Sequence, residues 1–90
     1  MPSKPTIYTS LAELTSVSKI KKFMRDLCTL AELKSFEERF EVAQLIDQGM
    51  SYRSINKKTG VSTATITRVA HWLRHGEGGY RIVLGRRQDH

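Results

Sequence analysis

Short polar side chains and basic side chains gather between Ser51 and His71 of this 90-residue chain. Serine and threonine hydroxyls hydrogen-bond to base edges and phosphates, alanine and threonine methyls contact thymine methyls, and arginine and lysine bind phosphates. These residue types are therefore suited to contacting double-stranded DNA. The candidate DNA-contact residues are Arg53, Lys57, Ser62, Thr63, Ala64, Thr65, Thr67, Arg68 and His71.

The spacing around these residues predicts a helix-turn-helix over residues 51–73. Ser51 is suited to cap a first helix at residues 52–58, which has Ile55 as its inward residue. Gly60 is expected to end that helix, because glycine tolerates the left-handed conformation, and Val61 follows as an apolar plug between the helices. Ser62 is suited to cap the second helix, whose apolar stripe comprises Ile66, Val69, Ala70 and Leu73.

The outward face of the second helix is predicted to read DNA, because the first residues of a recognition helix lie deepest in the major groove. Base contacts are expected from Thr63, Ala64, Thr65 and Thr67, and phosphate contacts from Arg53, Lys57 and Arg68. Asn56 departs from the pattern, since a small alanine or glycine is commoner where the two helices approach closely. Trp72 is expected to lie in the core beside Val69 and Leu73.

Positive charge is concentrated in the same half of the chain. Residues 1–49 contain seven lysines and arginines and seven acidic residues, whereas residues 50–90 contain eight basic residues against two acidic ones. The whole net charge of +6 therefore lies in the second half. Such an asymmetry is typical of a surface that binds a polyanion.

Other chemistries find little support in the sequence. His71 and His75 are spaced as a metal pair could be, but no third ligand and no HExxH motif accompany them, so no metal is predicted. No paired carboxylates, activated nucleophile or phosphate-binding loop points to an enzyme. Residues 76–79 are glycine-rich but follow no strand, which argues against a nucleotide site. They are predicted to form a bend that lets Tyr80, Ile82, Val83 and Leu84 fold back onto the core.

The remaining patterns predict an all-α fold. Thr9 or Ser10 could cap a short first turn, and Ser16 or Ser18 could cap a second helix that has the apolar face Ile20, Phe23, Met24 and Leu27. A third helix is predicted at residues 30–48, ended by Gly49. The domain is expected to span residues 9–85, with a flexible arm at residues 1–8 and a frayed basic tail at residues 86–90.

Size and composition indicate a cytoplasmic protein that is marginally stable as a single chain. A chain of this length buries only about 60% of its unfolded surface, and oligomerisation commonly compensates. No apolar run is long enough for a membrane span, and residues 1–6 lack the apolar stretch of a signal peptide. The single cysteine, Cys28, agrees with a reducing compartment.

Several strings in the sequence resemble the Trp repressor superfamily, and in particular its branch of small Trp-repressor-like bacterial proteins. They are Met50-Ser51-Tyr52-Arg53, Ala64-Thr65-Ile66-Thr67-Arg68, Gly76-Glu77-Gly78-Gly79-Tyr80 and Val83-Leu84, and the resemblance covers roughly residues 16–85. It implies an intertwined all-α homodimer with two reading heads. It also implies palindromic operators whose half-sites lie about one helical turn apart.

The same resemblance implies where a corepressor would bind. In the Trp repressor two arginines and a threonine hold tryptophan. Arg68 stands at one of these positions here, and Thr29 and Arg39 stand at the other two when one residue is deleted near Gly49. Val69, however, stands where the repressor has a glycine that leaves room for the indole, and adding bulk to a tight apolar site is unfavourable. We therefore expect no tryptophan corepressor and no other cofactor.

The sequence as a whole predicts a homodimeric, sequence-specific DNA-binding regulator, most simply a repressor, with an unidentified effector if it has one. The alternative is an adaptor module that uses the same two helices against a protein partner. Binding to duplex DNA that weakens with salt would argue against the adaptor. RNA binding is less favoured, because few aromatic residues are available to stack on bases.

Overall fold

The computed structural model describes the backbone of residues 4–88 and the side chains of residues 4–85. Over this range the chain forms helices and no strands, which confirms the predicted all-α class. The helices are α1 (Ile7–Glu13), α2 (Val17–Leu27), α3 (Leu30–Asp47), α4 (Tyr52–Thr59), α5 (Thr63–His75) and α6 (Gly79–Gln88). Contacts divide the chain into two units, Met1–Lys34 and Ser35–His90.

In the first unit, α1 begins earlier than the sequence predicted. The Thr6 hydroxyl accepts the Thr9 amide at 3.1 Å, and the Thr9 hydroxyl accepts the Thr6 amide at 2.9 Å. This reciprocal capping satisfies two donors that the helix would otherwise leave unpaired, so Thr6 and not Thr9 or Ser10 is the cap. The helix therefore occupies the last two residues of the predicted flexible arm, whose first three residues lie outside the described range.

The second helix is capped by Ser16, whose Oγ accepts the Lys19 amide at 3.1 Å. This decides between the two serines that the sequence offered. Neither α1 nor α2 has a buried residue, and Ile20 and Leu27 on the apolar face of α2 are 36% and 48% exposed. The apolar face predicted for α2 is thus present but is not covered within the first unit.

The core of the second unit lies among the later part of α3, α4, α5 and α6. Its buried members include the inward residues that the sequence predicted for the helix-turn-helix: Ile55, Val61, Ile66, Val69, Ala70 and Leu73. Val42, Ala43 and Leu45 of α3 and Leu84 of α6 complete it. An ion pair between Arg81 Nη1 and Asp47 Oδ1, 3.2 Å apart, joins α6 to the end of α3.

The last helix was not predicted from the sequence. Gly78 has φ +88°, a left-handed conformation that a glycine adopts without strain, and α6 begins at the next residue. Leu84 is buried and Tyr80 packs on the core, but Ile82 and Val83 are 62% and 47% exposed. The prediction that all four fold onto the core is wrong for these two, because residues 80 and 84 lie at the centre of the inward face of α6, whereas 83 lies at its edge and 82 on the opposite side.

Helix α6 continues to Gln88, so the backbone is helical over the first three residues of the segment predicted as a frayed tail. Asp89 and His90 lie outside the described residues. Within residues 4–88, no helix is both long enough and apolar enough to cross a membrane.

Candidate nucleic-acid interface

The first helix of the predicted motif begins and ends where the sequence indicated, to within one residue. The Ser51 Oγ accepts the Ser54 amide at 3.1 Å and so caps α4. Gly60 ends the helix in the left-handed conformation, at φ +77°, and its amide bonds to the Asn56 carbonyl. These two local signals place α4 directly before the turn.

Side chains of α4 hold the turn itself. The Asn56 Nδ2 donates to the Val61 carbonyl at 2.8 Å. The Thr59 hydroxyl donates to the Ile55 carbonyl at 2.7 Å and accepts the Val61 amide at 3.1 Å. Sequence reasoning noted Asn56 only as a departure from the usual small residue and passed over Thr59. The departure has a structural reason, since the amide bridges the two arms of the turn.

The second helix starts at Thr63, with Ser62 as the predicted cap. Successive residues of an α-helix are rotated by about 100°, so α5 divides into two faces. Ile66, Val69, Ala70 and Leu73 lie on the buried face. The opposite face is a continuous exposed arc formed by Thr63, Thr67, His71, Ala64 and Arg68. The structure thus brings these five candidate DNA-contact residues together on one side of α5.

The other two candidates on this segment, Ser62 and Thr65, lie at the start of the helix. The Ser62 Oγ accepts the Thr65 amide at 3.2 Å and donates to the Thr65 Oγ1 at 3.0 Å. Thr65 is half-buried, whereas Ser62 is exposed. Both hydroxyls therefore take part in the cap.

Two basic side chains of α4 extend the exposed surface. Arg53 and Lys57 are four residues apart, so they share one face of the helix, and both are exposed. Among the residues whose side chains are described, neither makes an ion pair or a hydrogen bond to another side chain. Their charges are available to an anion from solution.

Trp72 is exposed, which contradicts the predicted core position. Its side chain is 54% accessible, and its ring lies 5.1 Å from that of His71 in an edge-on arrangement. Although Trp72 precedes the buried Leu73 in sequence, a rotation of about 100° carries it away from the core face. The His71 and His75 rings are 5.2 Å apart, and the described residues contain no group of three or more potential metal ligands.

A cleft of about 380 Å³ separates α3 from α5 in the second unit. It is lined by Ser35, Glu38, Arg39, Thr65, Arg68 and Val69, so it brings together two of the three residues at which the resemblance placed a corepressor. Arg39 is already engaged on its own helix, because its guanidinium lies 5.2 Å from the centre of the Phe36 ring and its Nε donates to the Ser35 carbonyl at 3.4 Å.

The third of those residues, Thr29, belongs to the first unit. Its hydroxyl accepts the Glu32 amide at 3.1 Å, and the Glu32 carboxylate accepts the Thr29 amide at 2.8 Å. This reciprocal pair caps the start of α3. Thr29 therefore has a local structural role that the sequence analysis did not assign to it.

Comparison with known proteins agrees with this geometry. The sequence profile described as Trp repressor protein matches residues 5–88, which is nearly the whole chain. The chain belongs to the Trp repressor family. The resemblance inferred from the sequence strings is confirmed, and the family is one of helix-turn-helix DNA-binding regulators.

Individual relatives give the same result. The uncharacterized protein YerC of Bacillus subtilis is 38% identical over 80 residues, which cover 89% of this chain and 77% of that protein. A TrpR-like protein from Eubacterium eligens superposes with a TM-score of 0.86 at 36% identity, covering 92% of this chain and 86% of the other. A candidate Trp repressor from Staphylococcus aureus gives a TM-score of 0.85 at 34% identity, with 93% and 84% covered.

Proposed function

We propose that the protein is a sequence-specific DNA-binding transcriptional regulator that acts as a homodimer, with α5 in the major groove. The observation that carries this proposal is the exposed arc of α5, in which Thr63, Ala64 and Thr67 are small enough to approach base edges. The capped start of α5 and the buried opposite face hold that arc outward. The assignment as a repressor rests on the family.

The candidate residues divide by role. Thr63, Ala64 and Thr67 are the base-reading residues, and His71 lies one turn further along the same arc. Arg53 and Lys57, on one face of α4, anchor phosphates. Arg68 lies at the edge of the arc beside the cleft, where it contacts a phosphate. Ser62 and Thr65 hold the helix start, which presents its amides and its positive dipole end to a phosphate.

The first unit supports the homodimer. Helices α1 and α2 have no buried residues, and short helices in water derive most of their stability from packing an apolar face. The exposed apolar side chains of this unit are Ile7, Tyr8, Val17, Ile20, Leu27 and Leu30. A second copy of the chain would cover them and would set two reading heads apart by a fixed distance, as a palindromic operator requires.

We also propose that DNA binding does not require tryptophan. Of the residues that line the cleft between α3 and α5, only Val69 is apolar, whereas pockets for small organic ligands are lined predominantly by apolar and aromatic side chains. Val69 is 3% exposed and packed in the core, so it cannot move aside. Arg39 would have to leave Phe36 in order to stack on a ligand. These three features make the cleft a poor match for this corepressor.

Selection of bound sequences from a random duplex library, using the purified full chain, tests the proposal. We expect enrichment of a palindrome whose half-sites lie about one helical turn apart. The molar mass of the complex with that duplex, measured by light scattering, should equal the mass of one duplex plus two copies of the chain. Failure to enrich any sequence, with binding that is equal on all duplexes, would reject a sequence-specific regulator.

A protein-interaction adaptor is the second candidate, and the exposure of Trp72 favours it. Tryptophan is enriched at the centres of protein interfaces, and here it stands on the same helix as the candidate DNA contacts. The two functions differ in their salt response. Binding to duplex DNA through lysines and arginines weakens steeply as salt rises, because counterions are released. Absence of any salt-dependent duplex binding would favour the adaptor.

A further inference from the structure

The turn between α4 and α5 is held by two side-chain hydrogen bonds to the backbone of one residue. Val61 is the last residue before the cap of α5, and its side chain is 8% exposed. Its carbonyl accepts the Asn56 amide at 2.8 Å, and its amide donates to the Thr59 hydroxyl at 3.1 Å. Both backbone polar groups of Val61 are therefore bound by side chains of α4.

The chemistry of these contacts assigns the direction of each bond. A carbonyl only accepts, so Asn56 must present its NH2 group to Val61. Thr59 then donates its own proton to the Ile55 carbonyl at 2.7 Å, which leaves its oxygen free to accept from Val61. Alanine or glycine at position 56 would allow close approach of the two helices but would supply no such donor.

We propose that Asn56 is a positioning residue for the recognition helix, with Thr59 as its second arm. The two side chains form a clamp, defined here as Asn56, Thr59 and the backbone of Val61, that sets the direction in which α5 leaves the turn. The clamp thereby fixes the orientation of α5 by contacts within the chain, and α5 needs no bound ligand to hold it. This inference rests on the proposed DNA-binding function and names how that site is oriented.

Loss of the clamp is expected to affect specific and non-specific DNA binding differently. A hydrogen bond to a base edge weakens steeply once its geometry departs from linearity, so a small change in the direction of α5 removes it. Attraction between lysines or arginines and phosphates falls off over about 10 Å at 0.1 M salt and tolerates the same change. Loss of the clamp should reduce preference for the operator more than it reduces affinity for random duplex.

Two neutral variants test this proposal. Asn56→Ala introduces the residue that is commoner at such positions, and Asn56→Leu keeps the approximate shape of asparagine without its donor. For each we expect affinity for the selected operator to fall about tenfold, the size of effect expected when one base contact is lost, while affinity for random duplex changes by less than about twofold. The matched control is Ser54→Ala, because Ser54 is an exposed residue of α4 whose hydroxyl accepts a hydrogen bond from Ser51. This variant should leave both affinities unchanged.

A measurement on the wild-type chain tests whether the clamp exists without any variant and without DNA. By nuclear magnetic resonance, the Asn56 side-chain amide should show a through-hydrogen-bond coupling to the Val61 carbonyl, and one of its two protons should exchange slowly with solvent. Rapid exchange of both protons would overturn the clamp even if the operator is bound. Folded Asn56 variants that keep the full operator preference would overturn the positioning role. If the wild type selects no operator, the proposed function fails, and the coupling still decides whether the clamp exists.

Discussion

The Ser62 hydroxyl and the Thr65 hydroxyl are hydrogen-bonded to each other at 3.0 Å, and the Ser62 Oγ also accepts the Thr65 amide at 3.2 Å. Two residues that the sequence offered as DNA contacts therefore join in holding the start of α5. This pairing narrows the proposed base-reading set to Thr63, Ala64 and Thr67. It also makes the start of the recognition helix a place where stability and DNA binding can be separated experimentally.

Replacing Ser62 tests that separation. Ser62→Ala removes the cap, and we expect the free energy of unfolding to fall by about 1 kcal/mol. Ser62→Asp is the matched control, because aspartate is also a good cap and should retain most of the stability. The aspartate should nevertheless weaken DNA binding, since it places a negative charge against a phosphate. Denaturant unfolding measures the stability, and duplex titration measures the DNA affinity. An alanine variant as stable as the wild type would contradict the expected contribution of the cap to stability.

Replacing Lys57 should weaken binding to all duplexes about equally. Lys57→Ala removes one proposed phosphate contact, so the slope of log affinity against log salt concentration should become shallower by about 0.9. Lys58→Ala serves as the control, because Lys58 is adjacent but lies about 100° away around α4 and is not a proposed contact. Equal slope changes in the two variants would show that the charge acts without a defined contact. The measurement is a salt series on one operator and one random duplex.

Replacing Thr67 should instead change sequence preference. Thr67→Ala removes a hydroxyl from the exposed arc of α5. We expect it to reduce the discrimination at one base position per half-site by about 1–3 kcal/mol. Repeating the selection with this variant should relax that position and leave the others unchanged. An equal loss of affinity for all sequences would instead indicate that Thr67 contacts a phosphate and not a base.

A charge on the apolar face of α2 should break the homodimer. We expect Ile20→Glu to yield monomer or unfolded chain, because a carboxylate buried between two copies has no partner to compensate its lost hydration. Lys21→Glu is the control with the same new side chain at an exposed, basic position, and it should remain dimeric. Light scattering and circular dichroism distinguish these outcomes. A folded Ile20→Glu dimer would place the interface elsewhere.

Tryptophan should have no effect on the protein. In calorimetric titration of the full chain with L-tryptophan we expect no saturable heat, and the operator affinity should be the same with and without 1 mM-scale ligand, a concentration at which even weak binding of about −4 kcal/mol would register. The cause is the polar lining of the cleft together with Val69. Saturable binding of L-tryptophan that strengthens operator affinity would show that tryptophan acts as a corepressor of this chain.

The sequence alone determined the parts of the fold whose signals are local. Ser51 and Ser62 cap the helices that follow them, Ser16 is one of the two caps that the sequence offered for α2, and Gly60 adopts the left-handed conformation where a glycine was needed. A cap or a glycine end depends on a few neighbouring residues, so the residues themselves reveal it. The buried face of α5 could also be predicted, because its apolar residues recur in the sequence with the period of a helix.

Only the tertiary structure decided how those elements meet. Ile82 and Val83 are exposed because residues 79–88 form a helix that the sequence pattern had not indicated, whereas the exposure of Trp72 follows from the helical period of α5 and could have been predicted from the sequence. The hydrogen bond from Asn56 to Val61 requires two backbones to approach, and the cleft requires α3 to lie beside α5. The cleft depends on packing between helices that are distant along the chain, and the bond of Asn56 depends on the path of the turn backbone, so no pattern of residue types specifies either of them.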